Sequence, residues 1–479
     1  MDTMTLADPA VARRIGDLPG PRGWPLLGNL PQFDLTSMHQ QLEGWAAEYG
    51  PVYRLRFGTR DAVVIAQPEL IASIHRDRPD GWSRLRSMEQ KIHEMGIDGL
   101  FAAEGDAWRR QRRLVAGAFT PGHLKRYFPM IHRVTDRLRQ RLDQAADQGA
   151  PIELQALLMR YTVDITASLA FGADVNTLEH DGNALQEHLD KVFPKLARRL
   201  NAPLPYWRWF TLPSDRVFER HLAAGHAAVR GFVQAARARM TDDPALERNP
   251  TNLLEAMLAA RDSDGAALTE AEVAGNVFTM LLAGEDTTAN TLAWSLYLLH
   301  THPQAWRRIV AEVDAALGAD ALPATAEAAA GLSTIEDATS ESMRLRPVAP
   351  LSYLENNAPT QIAGVDLPAG TFVICLMRTG AVDAATAADA AVFRPERWRV
   401  GEDAPDRTLV AASMPFGVGP RICPGRYLAM LEMKMVLAMI ARRYELVDVR
   451  TSSGEPPRER FAFAMSPAGL RMWLKHRQQ

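Results

Sequence analysis

Apolar residues recur at three- and four-residue spacings from about Trp108 to His300, the pattern of helices that bury one face. Inside that stretch, Thr269-Glu270-Ala271-Glu272 has the form of a capping box. It opens an apolar helix that can run to about His300. Earlier in the chain the pattern is of the strand type at Val52-Tyr53-Arg54-Leu55-Arg56 and Ala62-Val63-Val64-Ile65-Ala66, and Gly58 between them predicts a hairpin. The opening Leu18-Pro19-Gly20-Pro21-Arg22-Gly23-Trp24-Pro25 reads as rigid extended chain leading into the domain. Ala311 to Ala330 is Ala-rich, predicting a helix and a surface connection. Beyond Pro347 the pattern turns loop-like and β-like, punctuated by Gly364, Pro368 and Gly370. A last helix is expected from about Pro424 to Tyr444, and Arg460 to Leu474 reads as a final hairpin. No internal repeat or interdomain linker interrupts the series. The expectation is one large domain, mainly α with a minor β region, over residues 18–479, preceded by an N-terminal tail over 1–17.

Composition narrows the partners more than the fold. Of 479 residues, 47% are hydrophobic but only 7% aromatic, so the apolar side chains are mostly Ala, Leu, Val and Met, which favour helix. The balance of 54 basic against 57 acidic side chains gives no overall field to attract nucleic acid or an anionic membrane. No run approaches the ~20 apolar residues needed to span a bilayer, so no integral membrane anchor is expected. Met1 to Asp17 has no leader pattern. Two cysteines, Cys375 and Cys423, make no disulfide framework, so a reducing cytoplasm is the expected compartment. Cys375 lies in the apolar run Phe372-Val373-Ile374-Cys375-Leu376 and reads as core.

Cys423 sits in Phe416-Gly417-Val418-Gly419-Pro420-Arg421-Ile422-Cys423-Pro424-Gly425. The glycines suggest a backbone forced into tight or left-handed geometry, and an amphipathic helix follows at once, with Pro424 suited to its first turn. A cysteine at a helix N-terminus meets free N–H groups that stabilise a thiolate. A buried free cysteine in a turn is the alternative. The central helix carries a second anomaly, the polar interruption Ala283-Gly284-Glu285-Asp286-Thr287-Thr288 between apolar flanks. Gly inside a helix costs ~1 kcal/mol relative to Ala, and a buried carboxylate costs more unless it is paired. A solvated stripe, or threonines bonding back to the preceding turn, would also account for it.

The order Phe-x-x-Gly-x-Arg-x-Cys-x-Gly at 416–425 resembles the haem-binding loop of the cytochrome P450 superfamily. Further matches follow the same family in order: Trp108-x-x-x-Arg112, the interruption at 283–288, Glu341-x-x-Arg344, and Pro395-Glu396-Arg397. The resemblance implies the cytochrome P450 fold, with the long central helix over a haem b (iron protoporphyrin IX) whose iron takes Cys423 as its proximal ligand. Gly417 and Gly425 would shape the loop and Phe416 would pack near the sulfur. Arg421, Trp108 and Arg112 would reach haem propionates. Thr287 would hydrogen-bond dioxygen or its water and Asp286 would relay protons, while Ala283 and Gly284 leave room over the haem face. Glu341, Arg344 and Arg397 would form a buried structural network. One departure stands out: Leu354 occupies the place where many members carry a second propionate-binding arginine.

The implied activity is a haem-thiolate monooxygenase that inserts one oxygen atom from O2 into a hydrophobic organic substrate. Fatty acyl, terpenoid, steroid and polyketide compounds all fit that description. A haem-thiolate isomerase or dehydratase, or a non-enzymatic haem sensor, are the alternatives, and the Asp286–Thr287 pair argues against both. The chain has no flavin domain, ferredoxin domain or dinucleotide fingerprint, so electrons are expected from an external ferredoxin or flavodoxin with its NAD(P)H reductase. Arg109, Arg110, Arg113, Arg426 and Lys434 are expected to cluster on the thiolate face and steer that partner. Substrate contacts are expected from Leu100, Phe101, Leu282, Ala349, Leu351, Phe463, Ala464 and Met465. Pro205-Tyr206-Trp207-Arg208-Trp209-Phe210 reads as packing between helices rather than a lid or a membrane-touching loop.

Overall fold

The central helix spans Glu270–Thr301 and starts as its capping box dictates. Thr269 Oγ1 accepts from the Glu272 N–H at 3.2 Å, and Glu272 Oε2 accepts from the Thr269 N–H at 2.8 Å. At ~1.5 Å per residue it is roughly 48 Å long, enough to cross the whole molecule. The computed structural model describes residues 13–180, 191–192, 195–196, 198–200, 202, 204–262, 264–399 and 407–478. Two hydrophobic clusters meet on this helix. One takes Val273, Val277, Phe278, Leu281 and Leu282, the other Ala289, Leu292, Ala293, Leu296 and Leu299. The polar interruption at 283–288 falls between them, so the segment that conflicts with burial marks the seam between the two cores.

Around the helix lie Leu154–Phe171, its most extensive neighbour, and Gly105–Ala116, Pro121–Gln148, Ser333–Leu345 and Arg426–Arg443. A five-stranded sheet runs in the order Val52–Phe57, Arg60–Ile65, Phe372–Leu376, Leu351–Asn356, Trp82–Arg84. The first two strands form the expected hairpin, in register from Val52 opposite Ile65 to Phe57 opposite Arg60. Cys375 is fully buried in this sheet, and burial pushes its thiol up to about 12, as befits a core residue. Among the described residues no helix is long and apolar enough to cross a membrane.

Three boundaries differ from the expectation. Within the stretch expected as a tail, Arg13–Arg14 pairs in parallel with Val365–Asp366, satisfying backbone groups on the edge of a small sheet. The last helix starts at Arg426 with Gly425 as its N-cap, so Pro424 lies just before the first turn rather than in it. The tail is not one hairpin. Glu459–Phe461 pairs with Met465–Pro467, while Leu470–His476 returns to pair with Tyr444–Thr451.

The Glu459 hairpin is tied to the body by charge. Glu459 accepts from His39 Nε2 at 2.7 Å and Arg378 Nη1 at 2.7 Å, and forms an ion pair with Arg346, whose Nε lies 3.3 Å away. Burial pushes its carboxyl up, but hydrogen bonds from His39 and Arg378 outweigh burial and hold it down at about 2. A depressed carboxyl contributes stability above its unfolded pKa and loses it as pH falls through the folded one. Glu459→Gln is therefore expected to lower stability by about 3 kcal/mol at neutral pH. The gap from wild type should close as pH falls from about 4.5 towards 2 in thermal melts. A gap that stays constant with pH would refute the assignment.

Candidate active site

The cysteine loop is closed by its own backbone. The Cys423 N–H donates to the Phe416 carbonyl at 2.9 Å, and the Gly417 N–H to the Met414 carbonyl at 2.9 Å. Gly417 and Gly419 adopt φ of +73° and +74°. A Cβ on Gly419 would lie 2.6 Å from the His75 carbonyl oxygen and 2.7 Å from Arg76 Cα, so only glycine lets the loop rest on the helix Pro68–Arg76. Phe416 is half-buried against the larger core cluster. Burial pushes the Cys423 thiol up, opposed by a hydrogen bond from the Gly425 N–H and by the charges of Arg112 and Arg426. The sulfur thus sits in a half-buried place that faces cations.

Beside the loop, Trp108 is buried on the helix Gly105–Ala116, and the Arg421 guanidinium stacks 4.7 Å above its ring. Arg421 Nη2 donates to Glu104 Oε2 at 2.5 Å and to the Ala103 carbonyl at 2.6 Å. Arg78 joins the same carboxylate, with Nη2 donating to Oε1 at 3.2 Å. Arg78, Arg84 and Glu104 carried no motif, and only the fold brings them to Arg421. Arg112 lies one helical turn beyond Trp108, half-buried, and its charge is felt at Cys423.

On the central helix Ala283 is exposed, Thr287 Oγ1 donates to the Ala283 carbonyl at 2.7 Å, and Asp286 Oδ1 accepts from Asn290 Nδ2 at 2.5 Å. The Ala464 N–H from the tip of the Glu459 hairpin also donates to Asp286. Burial pushes the Asp286 carboxyl up, and these two donors offset part of the rise. Gly284 does not serve the pocket side. A Cβ there would lie 2.6 Å from Thr166 Oγ1, so the glycine is required by the helix Leu154–Phe171.

An apolar cavity opens onto Ala283. Phe101, Leu282 and Phe463, three of the residues expected near substrate, line it, joined by Ile92, Ile97, Leu196, Leu200 and Thr279, which carried no sequence signal. Phe101 and Phe463 face each other with ring centroids 6.4 Å apart. The other expected contacts do not line this cavity. Leu100 is buried with its N–H on Asn276 Oδ1 at 2.7 Å, and Met465 packs fully buried in the cluster around the helix Met38–Tyr49. Leu351 packs against that same cluster, Ala349 is exposed elsewhere, and Ala464 is buried with its N–H turned to Asp286.

Glu341, Arg344 and Arg397 form the expected buried network. Arg344 Nη2 donates to Glu341 Oε1 at 2.7 Å, Arg397 Nε to the same oxygen at 3.3 Å, and Trp398 Nε1 to Oε2 at 3.0 Å. The basic patch is smaller than expected. Lys434 is buried, donating to Glu336 at 2.6 Å and to the Ala330 carbonyl at 2.8 Å, because its position on the last helix faces inward. Arg109 is paired with Asp80 and Asp106, and Arg110 with Glu272. Arg113 is exposed and Arg426 half-exposed beside Tyr427. In the segment 205–210, Tyr206 and Trp207 are anchored by Lys195 and Glu94, but Trp209 and Phe210 are 69% and 57% exposed rather than packed.

Known proteins resemble this chain in sequence and fold. A sequence-family model described as Cytochrome P450 matches residues 18–473. The human mitochondrial 25-hydroxyvitamin D-1 alpha hydroxylase is 29% identical over 456 residues, spanning 91% of this chain and 87% of that protein. The chloroplastic Protein LUTEIN DEFICIENT 5 of Arabidopsis thaliana is 28% identical over 423 residues, spanning 85% and 69%. The rat mitochondrial 1,25-dihydroxyvitamin D(3) 24-hydroxylase is 27% identical, spanning 91% and 84%. In fold, the crystal structure of the cytochrome P450DA heme domain superposes with a TM-score of 0.84 at 23% identity, covering 96% of this chain and 98% of that one. With the family matched from the proline-rich opening to the last strand, this chain belongs to the cytochrome P450 family.

Proposed function

We propose that this cytochrome P450 monooxygenase inserts one oxygen atom of O2 into an apolar organic substrate, using haem b bound through Cys423 and electrons from separate proteins. The observation that carries the reading is the seam of the central helix. Ala283 opens on the apolar cavity, and within one turn lie a hydroxyl and a carboxyl that burial holds towards its protonated form.

The residues fit a haem. A haem offers a flat apolar disc, an iron in need of an axial donor, and two carboxylates at one edge. Cys423 supplies the sulfur, and Arg78, Arg84 and Arg421 gather where a carboxylate edge needs cations, each with a buried Nε lacking a hydrogen-bond partner among the described residues. Bound there, haem supplies oxygen activation, which a thiolate donor favours by promoting O–O cleavage. The chain's part is to hold and move protons and to place the substrate. Asp286 carries a proton to higher pH than an ordinary carboxyl, and Asn290 and Ala464 fix where its oxygens point. The Thr287 hydroxyl keeps its proton on the Ala283 carbonyl, which leaves its lone pairs to accept from a neighbour.

Phe101, Phe463 and Leu282 favour an apolar substrate, and the similarity to two vitamin D hydroxylases accords with that class. Arg113, exposed next to Arg112, and Arg426, three residues past Cys423, suit an acidic ferredoxin or flavodoxin.

The test is the spectrum of the reduced protein with carbon monoxide. A strongly red-shifted Soret band is expected from wild type, and Cys423→Ser should abolish it. A band at the position typical of histidine-ligated haem, or no haem uptake by wild type, would overturn the proposal.

A further inference from the structure

The antiparallel ladder between Trp82–Arg84 and Leu351–Asn356 sets Arg84 directly opposite Leu354. Opposed residues of such a pair project to the same face, with Cβ atoms ~4.5–5.5 Å apart. Leu354 stands where the family resemblance places an arginine for the second haem carboxylate, and it is 2% exposed. Arg84 therefore rises from the same patch of sheet, one strand over.

Its surroundings are those of a cation held for an anion. Arg84 Nη2 donates to the Phe101 carbonyl at 3.0 Å, and its guanidinium lies 4.0 Å above the Phe101 ring. Its buried Nε has no hydrogen-bond partner among the described residues, and the same holds for Nε of Arg78 and Arg421. The carboxylate in hydrogen-bond reach of this group is Glu104. It accepts from Arg78 Nη2 at 3.2 Å, from the Arg84 backbone N–H at 3.1 Å and from Arg421 Nη2 at 2.5 Å. Two guanidiniums thus share Glu104 while that of Arg84 lies beside it, and the charge of Glu89 is also felt at Arg84 and Arg421, which leaves three cations facing two carboxylates. Burial, and then the charge of Arg78, push the Arg84 guanidinium down to about 10. Unpaired buried donors and incompletely compensated like charge both cost free energy, and a further carboxylate entering the group relieves both.

We infer that Arg84, seconded by Arg78, binds the second haem carboxylate of this chain in place of the arginine that Leu354 displaces. Glu104 is then the spacer that holds the three cations apart. This assignment rests on the haem-thiolate reading above.

The experiment uses the holoprotein and reads haem release into excess apomyoglobin, together with the reduction potential. Arg84→Leu should speed haem release roughly tenfold and lower the potential, because an unneutralised carboxylate favours the ferric state. Arg84→Gln, which can keep the bond to the Phe101 carbonyl, should do the same. The decisive variant carries Arg84→Leu and Leu354→Arg together. Moving the cation one strand across should bring release and potential back towards wild type. Release from Arg84→Leu and Arg84→Gln at the wild-type rate overturns the assignment, as does a folded double variant that releases haem as fast as Arg84→Leu. Wild-type protein that takes up no haem overturns the haem-thiolate reading itself, and is distinguished by its missing carbon monoxide band.

Discussion

Glu341→Ala is expected to destabilise the protein by about 3–5 kcal/mol, the usual consequence of removing one partner from a buried charge network. The Glu341 and Arg344 side chains are wholly buried, and Arg397 nearly so. Glu341 Oε1 and Oε2 together receive Arg344, Arg397, the Arg394 N–H at 2.9 Å and Trp398. Without the carboxylate, two guanidiniums are left in the interior with one countercharge, Asp389, which lies beside Arg397 at 2.8 Å. Arg344 also donates to the carbonyls of Ala381, Ala390 and Val392, so its displacement would loosen the irregular chain that leads towards the cysteine loop. Glu341→Gln keeps the shape and removes the charge, and should fall between. Breaking the surface pair Arg471–Glu153, 40% and 59% exposed, should cost at most about 1 kcal/mol. Urea and thermal melts read all three variants. A Glu341→Ala midpoint as close to wild type as that of the surface variant would refute the scaffold role.

The second large effect is on coupling. Asp286→Asn retains the size of the side chain but cannot release a proton, so the rate of product formation should fall at least ~10²-fold, the loss of a general acid. Thr287→Ala should waste electrons, since it removes the hydroxyl on the Ala283 carbonyl without altering the charge of the site. The two differ in pH response. The raised Asp286 carboxyl keeps its proton to higher pH than usual, so wild-type coupling should decline as pH rises through that range. Thr287→Ala should preserve the decline and Asp286→Asn should lose it. An unchanged rate of product formation in Asp286→Asn would sink the proton-relay role.

What could be seen in the sequence was what local geometry dictates. The capping box at Thr269, the helix-face pair Glu341 and Arg344, and the glycine-walled Cys423 loop depend on spacings of a few residues, and each fold element followed. The carboxylate cradle did not announce itself. Arg78, Arg84 and Glu104 come together through strand pairing and helix docking across distant parts of the chain, and Arg84 shows its use only once Leu354 is known to lie opposite. Leu196 and Leu200 reach the cavity for the same reason, and no periodicity separates them from ordinary core leucines. Lys434 was misplaced because a basic residue on an amphipathic helix normally faces water, whereas the last helix is buried on nearly every side from Leu431 to Ala441.

The contact between Gly284 and Thr166 has a bearing on how this protein can be altered. The central helix touches its neighbour by backbone at the residue next to Ala283, so volume at 284 and 166 is a shared quantity. A library that varies 284 alone would return few folded members, however attractive the position looks beside the pocket. Varied jointly, with Thr166 reduced to Ala or Gly as 284 grows to Ala or Ser, the pair becomes a dial on the lateral position of the helix. It would move Ala283 towards or away from the cavity without touching a single cavity-lining side chain.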